Sequence, residues 1–164
     1  MIVDFSKQNS ASFWRPINDG VMGGISRSQL QYDSAGFAIF AGYVSFENNG
    51  GFASVRCQHG DFGRENVVAY LLEVCGDGKR YKLNLRTDNS FDNVNYQQRF
   101  DPPDGIWTTC RLPLANFLPN WRGRLVSGVP PLDSGRVQQI GLMIADQQAG
   151  PFTLSIRAIS VEIA

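Results

Sequence analysis

Apolar residues recur at every second position through much of the chain. Tyr81, Leu83 and Leu85 alternate with Lys82, Asn84 and Arg86. Val68, Tyr70, Leu72 and Val74 follow the same rule, as do Tyr96, Gln98 and Phe100, then Ile106, Thr108, Cys110 and Leu112, then Ile140, Leu142 and Ile144. A period of two marks β-strands whose two faces meet different surroundings. Phe37, Ile39 and Ala41 alternate, but Val44 and Phe46 continue in the opposite phase. That slip predicts a bulge near Gly42 and Tyr43. The last run, Phe152, Leu154 and Ile156 followed by Ile159, Val161 and Ile163, changes phase at Arg157 and Ala158, which predicts a second bulge. No stretch of about a dozen residues sustains a 3.6-residue period. Helix is therefore expected only as short turns, one of them near residues 114–117.

Turn residues punctuate the strands. Gly76-Asp77-Gly78-Lys79 reads as a hairpin turn, Asn48-Asn49-Gly50-Gly51 as a hairpin or bulged connection, and Pro102-Pro103-Asp104-Gly105 as a further turn. Many short strands about ten residues apart predict an all-β sandwich or barrel. No composition break, repeat or low-complexity segment divides the chain, so one domain is expected over residues 1–164.

Composition narrows the function classes. Lys+Arg is 15 and Asp+Glu is 15, so no net positive charge drives nucleic-acid binding. The opening MIVDFSKQNS has neither the long apolar run of a membrane span nor the layout of a secretory signal, and it is unlike an organelle presequence. A protein that does not span a membrane and sits in the cytoplasm is expected. Cys57, Cys75 and Cys110, an odd number without C-x-x-C spacing, suit buried thiols in a reducing compartment. The single histidine, His59, argues against multi-histidine metal sites. The Asp88-Asn89-Ser90-Phe91-Asp92 stretch offers oxygen ligands but lacks the glycine and terminal Glu of an EF-hand, and reads as a solvated loop. No metal and no cofactor are expected.

Three polar stretches attract interest. NDGVMGGIS, residues 18–26, lacks the spacing and helix of a phosphate loop. Its glycines permit positive φ, and Asn18 and Asp19 can bond nearby amides, so it reads as a tight corner. The face carrying Lys82, Asn84 and Arg86, with Asp88 just beyond, is either a solvated sheet face or a ligand-facing one. Trp121, Arg122 and Arg124 are either a recognition element or a Trp plug with its arginines in water.

Taken in order, NDGVMGGIS after Trp14, ENNGGFASVR, YKLNLRTD followed by NYQQRF, LPLANFLPNWRGR and IGLMIADQQAGPFTLSI resemble the complex I intermediate-associated protein 30 family. The resemblance runs from about Phe5 to Ile163. It implies a galactose-binding-like jelly-roll β-sandwich, and an assembly factor or chaperone for a respiratory complex. The chain looks like a stand-alone bacterial member.

The expected function is therefore non-catalytic binding of a protein partner, such as subunits of a complex I-like or other membrane assembly. A carbohydrate-binding module using a concave sheet face is the alternative, with Trp14, Trp107, Trp121 and Tyr96 as stacking candidates beside Asn84, Arg86 and Asp88. No nucleophile elbow, H-E-x-x-H or Rossmann fingerprint is present, and nothing in the spacing of Asp19, Asp88 and Asp146 shows convergence, so no enzyme is expected. The candidate binding residues are Asn18, Asp19, Met22, Asn49, Arg56, Arg86, Asp88, Tyr96, Trp121, Arg122 and Arg124.

Overall fold

The computed structural model describes residues 1–19, 24–47, 51–58 and 60–164. Met22, Gly23, Asn49 and His59 lie outside the described residues.

Two antiparallel sheets face each other in a jelly-roll β-sandwich. One sheet is built from β1 (Val3–Asp4), β3 (Arg27–Asp33), β4 (Phe37–Val44), β6 (Val67–Cys75), β9 (Trp107–Pro113) and β13 (Gly150–Ile163). The other holds β2 (Trp14–Pro16), β5 (Ala53–Cys57), β7 (Tyr81–Arg86), β8 (Asn95–Phe100), β10 (Leu118–Trp121), β11 (Arg124–Leu125) and β12 (Gln139–Ile144). Its order is β11-β10-β8-β7-β12-β5-β2. The expected helical turn is a 3-10 turn at Leu114–Asn116, and a second lies at Ser134–Arg136.

The alternating apolar residues meet between the sheets. Tyr81, Leu83, Leu85, Ile140, Leu142 and Ile144 from one sheet are buried against Phe40, Tyr70, Leu72, Leu154 and Ile156 from the other. Aromatic rings tie the layers together: Phe40 packs 5.0 Å from Phe152 in its own sheet and 6.2 Å from Tyr81 across the core.

The predicted bulge at Arg157 is present, as the pairing of β13 with β6 shifts register between Ile156 and Ala158. The predicted bulge at Gly42 is absent. β4 pairs without interruption from Ala38 to Val44 against β13, and from Phe37 to Tyr43 against β3. The core face of β4 is Ala38, Phe40, Gly42 and Val44, so Ile39 and Ala41 belong to the outer face. The apparent slip arose from apolar residues on both faces of the strand.

One turn expectation needs correcting. Gly76 to Lys79 does not close a hairpin, because β6 and β7 lie in opposite sheets. The 102–105 turn likewise carries the chain from β8 to β9 in the other sheet, and Gly105 N–H donates to Gly76 C=O at 3.0 Å. β4 and β5 also lie in opposite sheets, and the Asn48-Asn49-Gly50 part of the turn expected between them lies outside the described residues. These crossings bring sequence-distant strands together in each sheet.

Core tyrosines give this fold a definite alkaline limit. Tyr81 is fully buried and its hydroxyl donates to Asp77 Oδ1 at 2.9 Å. Burial, with the Asp77 charge as the next cause, pushes its ionisation well above the ordinary tyrosine range. Burial also pushes Tyr70 up to about 12. Both keep their protons in the fold when an unfolded chain would lose them. Their contribution is therefore complete below pH ~10 and is lost above it, by about 1.4 kcal/mol per pH unit for each ring. Absorbance at 295 nm should show these tyrosines ionising together with the loss of near-UV circular dichroism. Ionisation of all five tyrosines in a still-folded protein would contradict this burial.

Candidate functional site

The outer face of the seven-stranded sheet forms a cleft of about 620 Å³. That is within the usual range for a ligand site. Strand alternation supplies its floor: what β5, β7, β8 and β12 do not bury in the core they present here. Register places Arg15, Arg56, Gly141, Asn84, Gln97 and Leu118 in one row across six strands. A second row runs Ser54, Met143, Lys82 and Arg99, and Gln139 pairs with Arg86 beside them. Gly141 adds no side chain at the middle of the first row, so the floor stays open between Arg56 and Asn84.

Residues 88–93 wall one end. Asp88 shapes this loop by accepting from Ser90 N–H at 3.0 Å and from Asn93 Nδ2 at 2.6 Å. Gln139 Nε2 donates to the carbonyls of Asp88 and Ser90, both at 2.8 Å. Arg56 donates to Phe91 C=O at 2.8 Å and lies over the Phe91 ring, and Arg86 donates to Asn93 C=O at 2.7 Å. Burial and the neighbouring Arg86 charge bring Arg56 down to about 10. Burial lowers Arg86 as well. Two guanidinium groups are thus held at one end of the cleft, each bonded to a neutral carbonyl.

The rim above them is the Trp121 segment. β10 and β11 form a hairpin in which Trp121 faces Arg124, leaving Arg122 and Gly123 as a two-residue turn. Both have positive φ, 49° and 80°. This is the type I′ geometry that usually selects Asn-Gly, so Arg122 stands in a conformation unfavourable to its side-chain type. Its guanidinium lies 4.8 Å from the Trp121 ring and donates to Asp92, with Nε at 3.0 Å from Oδ2. Trp121 Nε1 donates to Asp92 Oδ1 at 3.1 Å. Trp121 is 44% exposed, so it is not a core plug; its neighbours Asn120, Arg122 and Gly123 line the cleft. Arg124 is exposed beside it. At the other end Lys82 pairs with Asp146 at 3.1 Å.

Three carboxamide oxygens in this cleft have no hydrogen-bond partner among the described residues: Asn84 Oδ1, Asn95 Oδ1 and Gln139 Oε1. Their residues are 8%, 6% and 1% exposed. Buried acceptors are nearly always satisfied. These three oxygens are available to hydrogen-bond donors that enter the cleft.

Other residues singled out in the sequence lie elsewhere. Asp19 is fully buried and accepts from Ser26 N–H at 2.9 Å, Gly51 N–H at 2.7 Å, Phe52 N–H at 3.3 Å and the Ser26 hydroxyl. Asn18 Oδ1 accepts from Ser54 N–H at 3.0 Å and the Ser28 hydroxyl at 2.6 Å. These bonds tie Asn18 and Asp19 to Ser26 and Ser28, at the start of β3, and to residues 51–54, at the start of β5. Tyr96 points into the core, with its hydroxyl donating to Pro130 C=O at 2.6 Å. Trp14 is a core ring against Phe5. Trp107 lies on the other sheet, stacked with Arg157 at 4.0 Å. Asn95, Gln97, Gln139 and Met143 were missed. Their signal was the polar phase of the strands read from Tyr96, Gln98 and Phe100 and from Ile140, Leu142 and Ile144.

The sequence profile of the family described as Complex I intermediate-associated protein 30 matches residues 3–156. A Drosophila melanogaster protein named "Complex I intermediate-associated protein 30, mitochondrial" is 24% identical over 184 aligned residues, taking in 99% of this chain and 62% of that protein. The Mus musculus protein of the same name is 29% identical over 105 residues, covering 62% of this chain and 31% of its own length. The chain thus spans less than two thirds of the length of these relatives. Among solved structures, the family 11 carbohydrate-binding module of a cellulosomal cellulase of Clostridium thermocellum superposes with a TM-score of 0.70 at 15% identity, over 100% of this chain and 94% of that one. A family 11 module from the same organism, in complex with a β-1,3-1,4-mixed-linked tetrasaccharide, gives 0.68 at 15% identity, over 93% and 89%. These likenesses show the galactose-binding-like sandwich fold.

Proposed function

The chain belongs to the complex I intermediate-associated protein 30 family, and we propose that it is a non-catalytic binding protein that helps assemble a respiratory or other membrane protein complex. It does so by holding a segment of a client protein in the cleft. The observation that carries this reading is the chemistry of the cleft, which sets carboxamides and guanidinium groups among apolar residues such as Phe52, Phe91 and Met143. Its rim supplies Trp121, Arg122 and Arg124 beside Arg56 and Arg86. Trp and Arg are the residue types that most often anchor protein interfaces. Asn18, Asp19, Asp88 and Tyr96 serve this site from below, by fixing the loops and strands that carry it. The work is done in the cytoplasm, a setting that suits three thiols without C-x-x-C spacing. Among the described residues no helix is long and apolar enough to cross a membrane.

The second reading is a carbohydrate-binding module, favoured by the sandwich fold shared with such modules. Against it stands the placement of three of the four candidate rings, with Trp14 and Tyr96 in the core and Trp107 on the opposite sheet; Trp121 alone of the four is exposed beside the cleft.

Capture of partners from native extract, with detergent-solubilised membranes included, separates the two. Wild type should enrich subunits of a membrane complex, and a folded Arg86→Ala/Trp121→Ala variant should not. Each anchor is expected to contribute about 2 kcal/mol, so each single variant should bind about 30-fold more weakly. Equal capture by wild type and the double variant would remove the cleft from the mechanism. No specific protein with either, together with binding on a glycan array, would establish the carbohydrate reading in its place.

A further inference from the structure

Resting on that reading, we infer that the segment taken by the cleft is extended and acidic. A carboxylate on it sits against Arg56 and Arg86, and its backbone N–H groups are received by the carboxamide oxygens of Asn84, Asn95 and Gln139.

The charge argument starts from what surrounds the two arginines. A guanidinium group has five N–H donors. Arg56 and Arg86 each donate one bond among the described residues, to Phe91 C=O and Asn93 C=O. These carbonyls fix the groups in place without neutralising them. Two carboxylates lie near the pair: Asp92, engaged by Arg122 and by Trp121 Nε1, and Asp88, engaged by Ser90 N–H and Asn93 Nδ2. Lys82 and Asp146 balance one another at the far end. Among the described residues neither half-buried guanidinium is in ion-pair contact with a carboxylate, and each bears on the other as a like charge. Partly desolvated like charges repel, and an incoming anion relieves that cost while gaining charge-assisted, bidentate bonds.

The acceptor argument is independent of charge. The floor presents three buried oxygens that require donors, on three adjacent strands β12, β7 and β8. An extended peptide carries backbone N–H groups at regular intervals along its length. Met143, on β12 beside Lys82 of β7, adapts to varied side chains, as methionines do at promiscuous binding surfaces. A glycan would also supply donors, but sugar rings commonly need an aromatic face to stack on. The aromatic rings lining the cleft are Phe52 and Phe91, and Arg56 already lies over Phe91, while the tryptophans are at the edge, in the core or on the other sheet.

The test is a phage-displayed library of random twelve-residue peptides panned on the full chain. Selected peptides are then synthesised and their Kd measured by fluorescence anisotropy. Selected sequences should be rich in Asp and Glu. Replacing those residues by Asn and Gln in the peptide should weaken binding at least 30-fold. Arg56→Gln/Arg86→Gln in the protein should do the same, and Asn84→Leu/Asn95→Leu should weaken it at least tenfold. Thermal melting checks that each variant is folded, and the peptide-side replacements need no variant at all. Peptides that are lost with Asn84→Leu/Asn95→Leu but indifferent to neutralisation would overturn the acidic inference and leave the client-binding cleft standing. If no selected peptide depends on either pair of residues, both fall. Binding of uronic-acid oligosaccharides in place of peptides would also overturn both, in favour of an acidic glycan.

Discussion

An Asp19→Ala chain is expected to lose about 3–5 kcal/mol of unfolding free energy, the range found when one partner of a buried charged network is removed. The carboxylate is fully buried and accepts three backbone N–H groups and one hydroxyl. Alanine removes the acceptor and leaves Ser26, Gly51 and Phe52 amides facing a small void. Each unsatisfied buried donor costs about 1–3 kcal/mol. Asp19 also joins two sequence-distant segments, since Ser26 leads into β3 and Gly51 leads into β5. Its loss should therefore loosen the start of both strands. Total stability is about 5–15 kcal/mol for a protein of ordinary kind. The fall in Tm should be roughly 6–20 °C. Asp19→Asn keeps one acceptor oxygen and should fall between the two. Urea denaturation of the three proteins measures this, and an Asp19→Ala midpoint equal to wild type would refute the structural role of the carboxylate.

Gly42→Ala should be as damaging for a different reason. A Cβ at Gly42 would lie 2.0 Å from the Arg27 carbonyl oxygen and 2.8 Å from Ser28 Cα. These are backbone atoms of the paired strand, so no rotamer change relieves the clash. β3 would have to move away from β4, and with it Ser28, whose hydroxyl donates to Asn18 Oδ1 at 2.6 Å. A loss of about 3 kcal/mol or more is expected, at the upper end of overpacking effects. Gly141→Ala is the comparison. There the nearest atom is Val55 C=O at 3.0 Å, so the neighbour gives by tenths of an ångström and the loss is smaller. A Gly42→Ala protein melting within ~2 °C of wild type would show that β3 and β4 do not approach as described.

The two predictions concern residues whose meaning differed between sequence and structure. Asp19 stood out because it lies in a glycine-rich motif, and the motif suggested a binding border. In the fold its side chain faces inward and braces the corner. Gly42 looked like the place where β4 changes phase. It is a core-facing position where two backbones come close, and a residue without Cβ is the one that fits. In both cases the residue was noticed for its type, and its role came from a contact many residues away.

The site divides in the same way. Lys82, Asn84 and Arg86 were legible as one polar face, because the apolar phase of Tyr81, Leu83 and Leu85 is strong. Arg56, Trp121 and Arg122 were legible as notable residue types. Their convergence was not, since β5, β7, β10 and the loop 88–93 meet only through pairings between distant segments. Tyr96 shows the limit of reading by residue type. Its aromatic ring suggested a binding face, yet it occupies the inward phase of β8, and its neighbours Asn95 and Gln97 face the cleft.

Strand content, the two faces of each strand and the absence of long helices follow from local alternation, because a β-strand turns successive side chains to opposite sides. The order of the strands, the crossing that replaces the expected hairpin, and the row from Arg15 to Leu118 depend on which strands pair and in what register. Those choices are made by burial of the shared core and by long-range hydrogen bonds. Alternation along a single strand carries no information about its neighbour, so the cleft exists only once the sheet has formed.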